Sequence, residues 1–223
     1  GAIQASSALF EDLSYIKEHD LHVLLSPAFD NLSKLPDSKN IKYYQCDYPT
    51  KLSLGIFNKE LQNLEQKISP DCVFSLFGPT YWNPKAPHVM GFANGLYLFD
   101  DLPFYSRVGL FTKIKEFIRK TYHRFLLRSN ATHYIVETDL VRSRFSKFLG
   151  IDDSRISTIP NAFHPVFNQE INELNILPPK TSNEFRFITV SSFYRHKNLE
   201  VLNDLIPLLK REGIQCKFTI TIP

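Results

Sequence analysis

The sequence predicts an α/β protein with an open, largely parallel sheet. Short apolar runs, typical of buried strands, alternate with longer stretches of helical spacing, and turn residues separate the two. The alternation restarts after a stretch without periodicity near residue 170, which predicts a second α/β unit. With 223 residues, 43% of them hydrophobic, the chain is long enough for one full domain and part of another.

The first unit is predicted to begin with a helix and to continue as alternating strands and helices. Leu21 to Leu25 is a compact apolar run, and Asp71 to Phe77 is another that ends at a Gly-Pro turn. The predicted strands are 21–25, 41–46, 71–77, 87–92 and 132–136, and the predicted helices are about 2–17, 56–68 and 111–128. No apolar run approaches the roughly 18 residues that a membrane-spanning helix needs.

A second unit follows a predicted linker. The linker, 168–184, contains a Pro-Pro pair and no clear periodicity. Residues 185–190 and 217–222 are predicted strands, and 198–211 is a predicted helix that closes on Gly213. The domains predicted are therefore 1–167 and 185–223, the second being only the first βαβ unit of a larger domain.

The cysteines and the distribution of charge limit the kinds of function that the sequence predicts. The three cysteines are far apart in sequence, lie in or beside apolar stretches, and predict reduced core thiols of a cytoplasmic protein: Cys46, Cys72 and Cys216. The net charge of +3 is uneven, because residues 1–110 hold 9 Lys/Arg and 12 Asp/Glu whereas 111–223 hold 17 and 11. No signal peptide is visible, and no nucleic-acid-binding module is found.

A cationic segment, SSFYRHKN, lies between the predicted strand 185–190 and the following helix. In open α/β sheets ligands bind at the carboxyl ends of strands, and a helix N-terminus favours an anion. Arg195 can grip a phosphate through two hydrogen bonds, and Lys197 adds a point charge. The alternative is an ordinary loop whose basic side chains are solvated.

Residues Thr189 to Leu199 resemble the start of the C-terminal domain in family 4 ("group 1") glycosyltransferases, which have the GT-B fold of two Rossmann-like domains. A second stretch, Tyr134 to Phe167, is similar to the strand, helix and Ile-Pro-Asn run that precedes that family's interdomain linker. By this resemblance Lys197 holds the donor diphosphate. Ser192 stands where the family commonly has an arginine, and Arg195 is its expected substitute.

The resemblance implies a retaining transferase that moves a sugar from a nucleotide-sugar to a glycan or lipid-linked acceptor, in bacterial surface polysaccharide or lipopolysaccharide assembly. It implies no metal and no other cofactor, and a location in the cytoplasm or on the inner face of the plasma membrane. The family's paired donor-binding glutamates and its first strand find no match here, so we expect a fragment and assign no catalytic residue. The competing hypothesis is a non-catalytic, membrane-peripheral, nucleotide-binding α/β module.

Candidate sugar or acceptor contacts lie in the first unit. By the resemblance Gly1 falls at the end of a glycine-rich loop, and Asn94 is the nearest polar residue after strand 87–92. Tyr97 belongs to an aromatic region that can stack sugars, together with Tyr81, Trp82 and Phe104. The alternatives are that Asn94 is a turn residue and that the aromatic side chains simply pack. His88 is predicted to be a packed core histidine.

The helix 111–128 holds six Lys/Arg and one Glu. At 100° per residue, Phe111, Ile114, Ile118, Tyr122 and Phe125 share one face. The opposite face holds the residues that we assign to contact with an anionic membrane, with an aromatic ring among the charges: Lys113, Phe117, Lys120, Arg124 and Arg128. The alternative is a core-packed apolar face with a solvated basic face.

Overall fold

The computed structural model describes residues 15–25, 35–46, 59–99, 109–160, 180–181, 183–191 and 197–221, with the isolated residues 6, 9, 12 and 13. The chain divides into two compact units, Gly1–Gln169 and Glu170–Pro223. Most of the predicted first helix and of the predicted linker 168–184 lies outside the described residues, so the linker stays a prediction.

The described strands of the first unit form two parallel sheets. Strands β1 (Leu21–Leu25) and β2 (Ile41–Gln45) form a pair. The other sheet has the order β3-β4-β5-β6 and comprises β3 (Val73–Ser75), β4 (His88–Gly91), β5 (His133–Val136) and β6 (Ile156–Thr158). Every neighbouring pair is parallel, which confirms the predicted α/β class with parallel sheets.

Besides the helical residues 6, 9, 12 and 13, the described part of this unit contains three α-helices: α1 (Lys59–Ile68), α2 (Leu110–Asn130) and α3 (Asp139–Leu149). Short 3₁₀ turns cover Gly95–Tyr97 and Asp153–Arg155. The ends of α3 follow from its sequence, because the Thr138 hydroxyl caps the first turn at Val141 N–H, 3.3 Å away. At the other end Gly150 takes a left-handed φ of 67°, which glycine adopts without strain.

The main core lies between the four-stranded sheet and helices α2 and α3. Tyr134 of β5 and Phe145 of α3 are both fully buried, and their rings meet edge to face with centroids 5.2 Å apart. Phe92 stacks on the same Phe145 ring at 4.3 Å. The Tyr134 hydroxyl donates to the Leu127 carbonyl of α2, so the buried phenol keeps a partner.

A smaller cluster joins α1 to both sheets. Leu61 packs with Cys46 and Trp82 in it. The buried Glu65 of α1 accepts hydrogen bonds from the backbone N–H groups of Lys85 (2.6 Å) and Ala86 (2.9 Å). These bonds fix the loop that leads into β4 and satisfy a carboxylate that would otherwise be buried at high cost.

His88 of β4 connects the sheet with the end of α2. Its side chain is 1% exposed, which confirms the prediction of a packed core histidine. Nδ1 donates to the Asn130 carbonyl, so Nε2 accepts a hydrogen bond from the Ser75 hydroxyl at 2.8 Å. Burial lowers the pKa of His88, against the opposing influence of the Asn130 carbonyl and of the Glu65 charge.

The second unit contains the predicted βαβ arrangement. Strands β7 (Phe185–Val190) and β8 (Cys216–Thr221) are parallel and paired over six positions, with α4 (Val201–Arg211) between them in sequence. Helix α4 begins three residues later than predicted. The reason is Asn198, whose positive φ of 51° is incompatible with a right-handed helix and is tolerated by asparagine.

The three cysteines are all free thiols. Cys46 is buried and Cys216 is half-buried, but Cys72 is exposed, so the prediction of a core position is wrong for Cys72. It lies in the irregular segment just before β3, a short strand none of whose residues is fully buried. Among the described helices, none is long and apolar enough to cross a membrane.

Candidate functional site

The junction between β7 and α4 carries the candidate donor site. At its start, the backbone N–H of Ser191 donates to the Thr221 hydroxyl at 3.3 Å, which ties together the carboxyl ends of the two strands. Lys197 lies at the far side of the junction, is exposed, and precedes the first residue of α4 by four positions. Glu200 caps α4 and Asp204 lies in its first turn. Both are acidic and therefore oppose the attraction of the helix N-terminus for an anion. Binding of an anion at this junction would thus require the Lys197 charge as well as the helix end.

Three of the predicted site residues lie outside the described residues: Ser192, Arg195 and Gly1. Their roles in diphosphate binding and in sugar or acceptor binding stay predictions. Phe104, of the aromatic region, also lies outside.

The loop after β4 contains the other two candidate contacts, Asn94 and Tyr97. The backbone carbonyl of Asn94 accepts from Tyr97 N–H at 3.2 Å, which starts the 3₁₀ turn, and the Asn94 side chain makes no capping hydrogen bond. Tyr97 is only 2% exposed. Its ring is therefore a packing residue in this loop, whereas the half-buried Asn94 side chain still reaches the surface.

A hydrogen-bonded cluster that we did not predict explains the burial of Tyr97. His123 of α2 lies between two tyrosines, with Nδ1 2.8 Å from the Tyr97 hydroxyl and Nε2 3.0 Å from the Tyr81 hydroxyl. Burial raises the pKa of both Tyr97 and Tyr81, although the nearby Arg119 opposes the shift. Both phenols therefore stay protonated and pair with the imidazole. The hydrogen bonds of this cluster attach α2 to the loops after β3 and β4.

The same side of α2 carries the ion pair between Glu116 and Arg119, and the Arg119 guanidinium lies 5.9 Å from the centre of the Tyr97 ring. A signal for this arrangement exists in the sequence, because positions 116, 119 and 123 share one face of a helix. Their partners Tyr97 and Tyr81 lie 22 to 42 positions away in the sequence, and helical spacing does not reveal them.

Trp82 is another aromatic residue that packs. Its ring is buried in the small cluster with Leu61 and Cys46. For Trp82 and Tyr97 the packing alternative therefore describes the ring better than sugar stacking does.

The outward face of α2 is the largest departure from expectation. The alternative in which its apolar residues pack into the core is wrong, since Phe111 is 91% exposed and Ile114, Ile118 and Phe125 are exposed as well. The residues that α2 buries are instead Leu126, Leu127 and Asn130. Because these buried positions lie in the last turns, the first half of the helix stands clear of the core.

The predicted membrane-contact residues lie on this helix in two environments. Lys113, Phe117 and Arg128 are exposed, with Phe117 at 70%. Lys120 and Arg124 place their charged groups over the Phe148 ring of α3, at 5.6 and 5.8 Å from its centre. Those two cations therefore also help to hold α2 against α3.

The part of the chain that the structure describes holds no group of three or more His, Cys, Asp or Glu side chains arranged to bind a metal ion. No family model matches the sequence, and it has no significant match among curated proteins. What the fold defines is the class, an α/β protein with parallel sheets.

Proposed function

We propose that the protein is a retaining glycosyltransferase of the GT-B type, related to family 4, that transfers a sugar from a nucleotide-sugar to a glycan or lipid-linked acceptor. The expected setting is the assembly of surface polysaccharide or lipopolysaccharide in a bacterial cytoplasm. Unit 1 is then the acceptor-side domain, and unit 2 belongs to the donor-binding domain.

The observation that carries the proposal is the pair of sequence resemblances in their correct order. The first runs over β5, α3 and β6, and the second runs from the end of β7 towards α4. The first resemblance therefore coincides with a strand–helix–strand unit. The second spans the junction between a strand and a helix, where residues 192–196 lie outside the described part of the chain. A Rossmann-like arrangement is compatible with the parallel order β3-β4-β5-β6.

The chemistry assigned to this chain is stabilisation of the departing nucleoside diphosphate. As the bond between the sugar and the diphosphate breaks, negative charge grows on the diphosphate oxygens, and cations placed beside them lower the barrier. Lys197 supplies one such charge and Arg195 a second, so the proposal assigns no metal ion to this step. Ser192, in place of the family's arginine, contributes only a hydroxyl.

The test is calorimetric titration of the full-length protein with UDP, GDP and their common sugar conjugates, without added metal. Lys197→Ala is expected to weaken binding of the preferred nucleoside diphosphate by more than tenfold, which is over about 1.4 kcal/mol. The matched control is Lys210→Ala, because Lys210 is an exposed lysine at the opposite end of α4. An affinity that is equal in the two variants and the parent would contradict the diphosphate assignment.

The second candidate is a non-catalytic α/β module that binds nucleotides or membranes without transferring sugars. The acidic Glu200 and Asp204 near the start of α4 favour the membrane-binding form of this module over the enzyme, since they weaken an anion site. A folded protein that binds none of the nucleotides would support that form. Binding of one nucleotide, with release of sugar or transfer to a glycan extract, would exclude it.

A further inference from the structure

A continuous apolar stripe runs along the outward side of α2. Its members are large and exposed, and at 100° per residue they fall within an arc of about 120°. We call them the outward stripe: Leu110, Phe111, Ile114, Phe117, Ile118 and Phe125. Soluble surfaces scatter such side chains singly, and a contiguous set of this kind marks a binding surface.

The stripe points away from the described elements that α2 packs against in unit 1. The residues that attach the helix lie on its other side, where Arg119 and His123 contact Tyr97 and the buried Leu127 joins the core. These positions are centred roughly opposite the stripe on a helical wheel. Rotating the helix to bury the stripe would break the His123 and Arg119 contacts, so the described fold holds the stripe outward.

Positive charge borders the stripe. Lys113, Lys120 and Arg124 lie along one edge, Lys115 lies along the other, and Arg128 continues the line towards the C-terminus of the helix. The only acid in α2 is Glu116, which is paired with Arg119 on the inward side. The outward surface of the helix is therefore apolar in the middle and cationic at its borders.

A shallow, open hollow of about 430 Å³ lies on the surface of α2 at the C-terminal half of the stripe. Arg124 and Arg128 line it, one helical turn apart, together with Phe125 and the hydroxyl residues Thr121 and Ser129. Two guanidinium groups beside an aromatic ring match a phosphate group attached to an apolar chain.

We propose that α2 lies in the interface of an anionic lipid bilayer, with the outward stripe between the acyl chains and the lysines and arginines at the phosphates. Charge complementarity selects this occupant. Nucleic acid would use the cations but leave the stripe unexplained. Pairing with a second copy would bring two cationic borders together, which is repulsive. The inference does not depend on the donor site, so vesicle binding and nucleotide binding can fail separately.

The first experiment is flotation of the protein with phosphatidylcholine vesicles that contain or lack phosphatidylglycerol. We expect binding to the anionic vesicles that is at least tenfold stronger and that weakens as salt is raised. Phe111→Gln combined with Phe117→Gln should reduce it at least tenfold, since glutamine keeps helix propensity but removes the apolar surface. The control, Leu140→Gln with Ile159→Gln, removes two exposed apolar side chains elsewhere in unit 1 and should leave binding unchanged.

A second variant tests the charges. It replaces Lys113, Lys115 and Arg128 by glutamine and keeps Lys120 and Arg124, which pack over Phe148. We expect it to lose most of the preference for anionic vesicles and most of the salt dependence. The matched control removes the same charge from three exposed lysines elsewhere in unit 1: Lys59, Lys67 and Lys147.

The Phe117→Trp variant measures directly whether α2 inserts into the bilayer. The only native tryptophan, Trp82, is buried, so a vesicle-dependent blue shift and quenching by brominated lipid report the new side chain. No binding to anionic vesicles would overturn the proposal, as would binding that both variants retain. A blue shift without vesicles that grows with protein concentration, with a dimer in sedimentation, would assign the stripe to contact between copies and also overturn it.

Discussion

Replacing His88 by alanine tests how the sheet holds the C-terminal end of α2. The ring is buried and bonds on one side to the Asn130 carbonyl, in the last turn of α2, and on the other to the Ser75 hydroxyl of β3. The substitution therefore removes packing and two hydrogen bonds at the same place. The consequence should be a loss of stability in unit 1.

The size of the loss follows from these contacts. Truncation of a large buried side chain to alanine costs about 2–5 kcal/mol. The Asn130 carbonyl and the Ser75 hydroxyl also lose their partner, which costs about 1–3 kcal/mol for each group that stays dry. Water that enters the space left by the ring reduces the second contribution, so we expect about 3–5 kcal/mol in total. His88→Asn places an amide N–H near the position of Nδ1 and should recover about 1–2 kcal/mol of it.

The pH dependence provides an independent readout. Burial lowers the pKa of His88 in the folded state below its ordinary value of 6.5. Between these two values the unfolded chain binds a proton that the folded chain does not, so the free energy of unfolding decreases as pH falls through 6.5. Above 6.5 the ring is neutral in both states and the dependence disappears. His88→Asn should lack this part of the slope, while the other six histidines contribute to both proteins.

Urea unfolding followed by Trp82 fluorescence measures these quantities in unit 1, because Trp82 is the only tryptophan. The reasoning would be refuted by a loss under about 1 kcal/mol for His88→Ala, which is the scale of an ordinary surface substitution. Equal slopes for the parent and His88→Asn between pH 5 and 7 would refute the assignment of the pKa direction to burial.

Two further predictions concern stability. Glu65→Ala should cost unit 1 about 2–3 kcal/mol, since two backbone N–H groups lose a charged acceptor, and the exposed Glu60→Ala on the same helix is the control in the same urea assay. In unit 2, the hydrogen-bonded Arg186 lowers the pKa of Glu184. The pair therefore stabilises the unit above pH 4.5, and its contribution is lost as pH falls through the lowered pKa of the folded state. In Arg186→Gln, the stability of β7 measured by hydrogen exchange should therefore decrease less at acidic pH than in the parent.

Most of the strands were predictable because they are local apolar runs. The exception is β6 (Ile156–Thr158), which is not an apolar run and was not among the predicted strands. The strand predicted over 185–190 is β7 without change, and that predicted over 21–25 is β1. The predicted boundary of a helix was wrong where the backbone conformation of one residue determines it. Asn198 adopts a positive φ that delays α4, and nothing in the apolar spacing of that helix reveals it.

Side chains that meet across long sequence separations were not predictable. His123 bonds to tyrosines 42 and 26 positions away, and only the packing of α2 against the loops after β3 and β4 brings the three together. The candidate donor site differs, because its residues are close in sequence. Lys197 and Arg195 were assigned from one short motif, and their role stays a prediction.

Helix α2 shows most clearly which features follow from the sequence and which follow from tertiary packing. The sequence by itself determined that residues 111–128 form a helix with an apolar and a basic side, because periodicity depends only on spacing. Only the tertiary structure decided that the apolar side faces outward, because the face that becomes buried is the one with matching partners. For α2 those partners are Tyr97, reached by Arg119 and His123, and the core around Leu127. Contacts to them outweighed the burial of the phenylalanines.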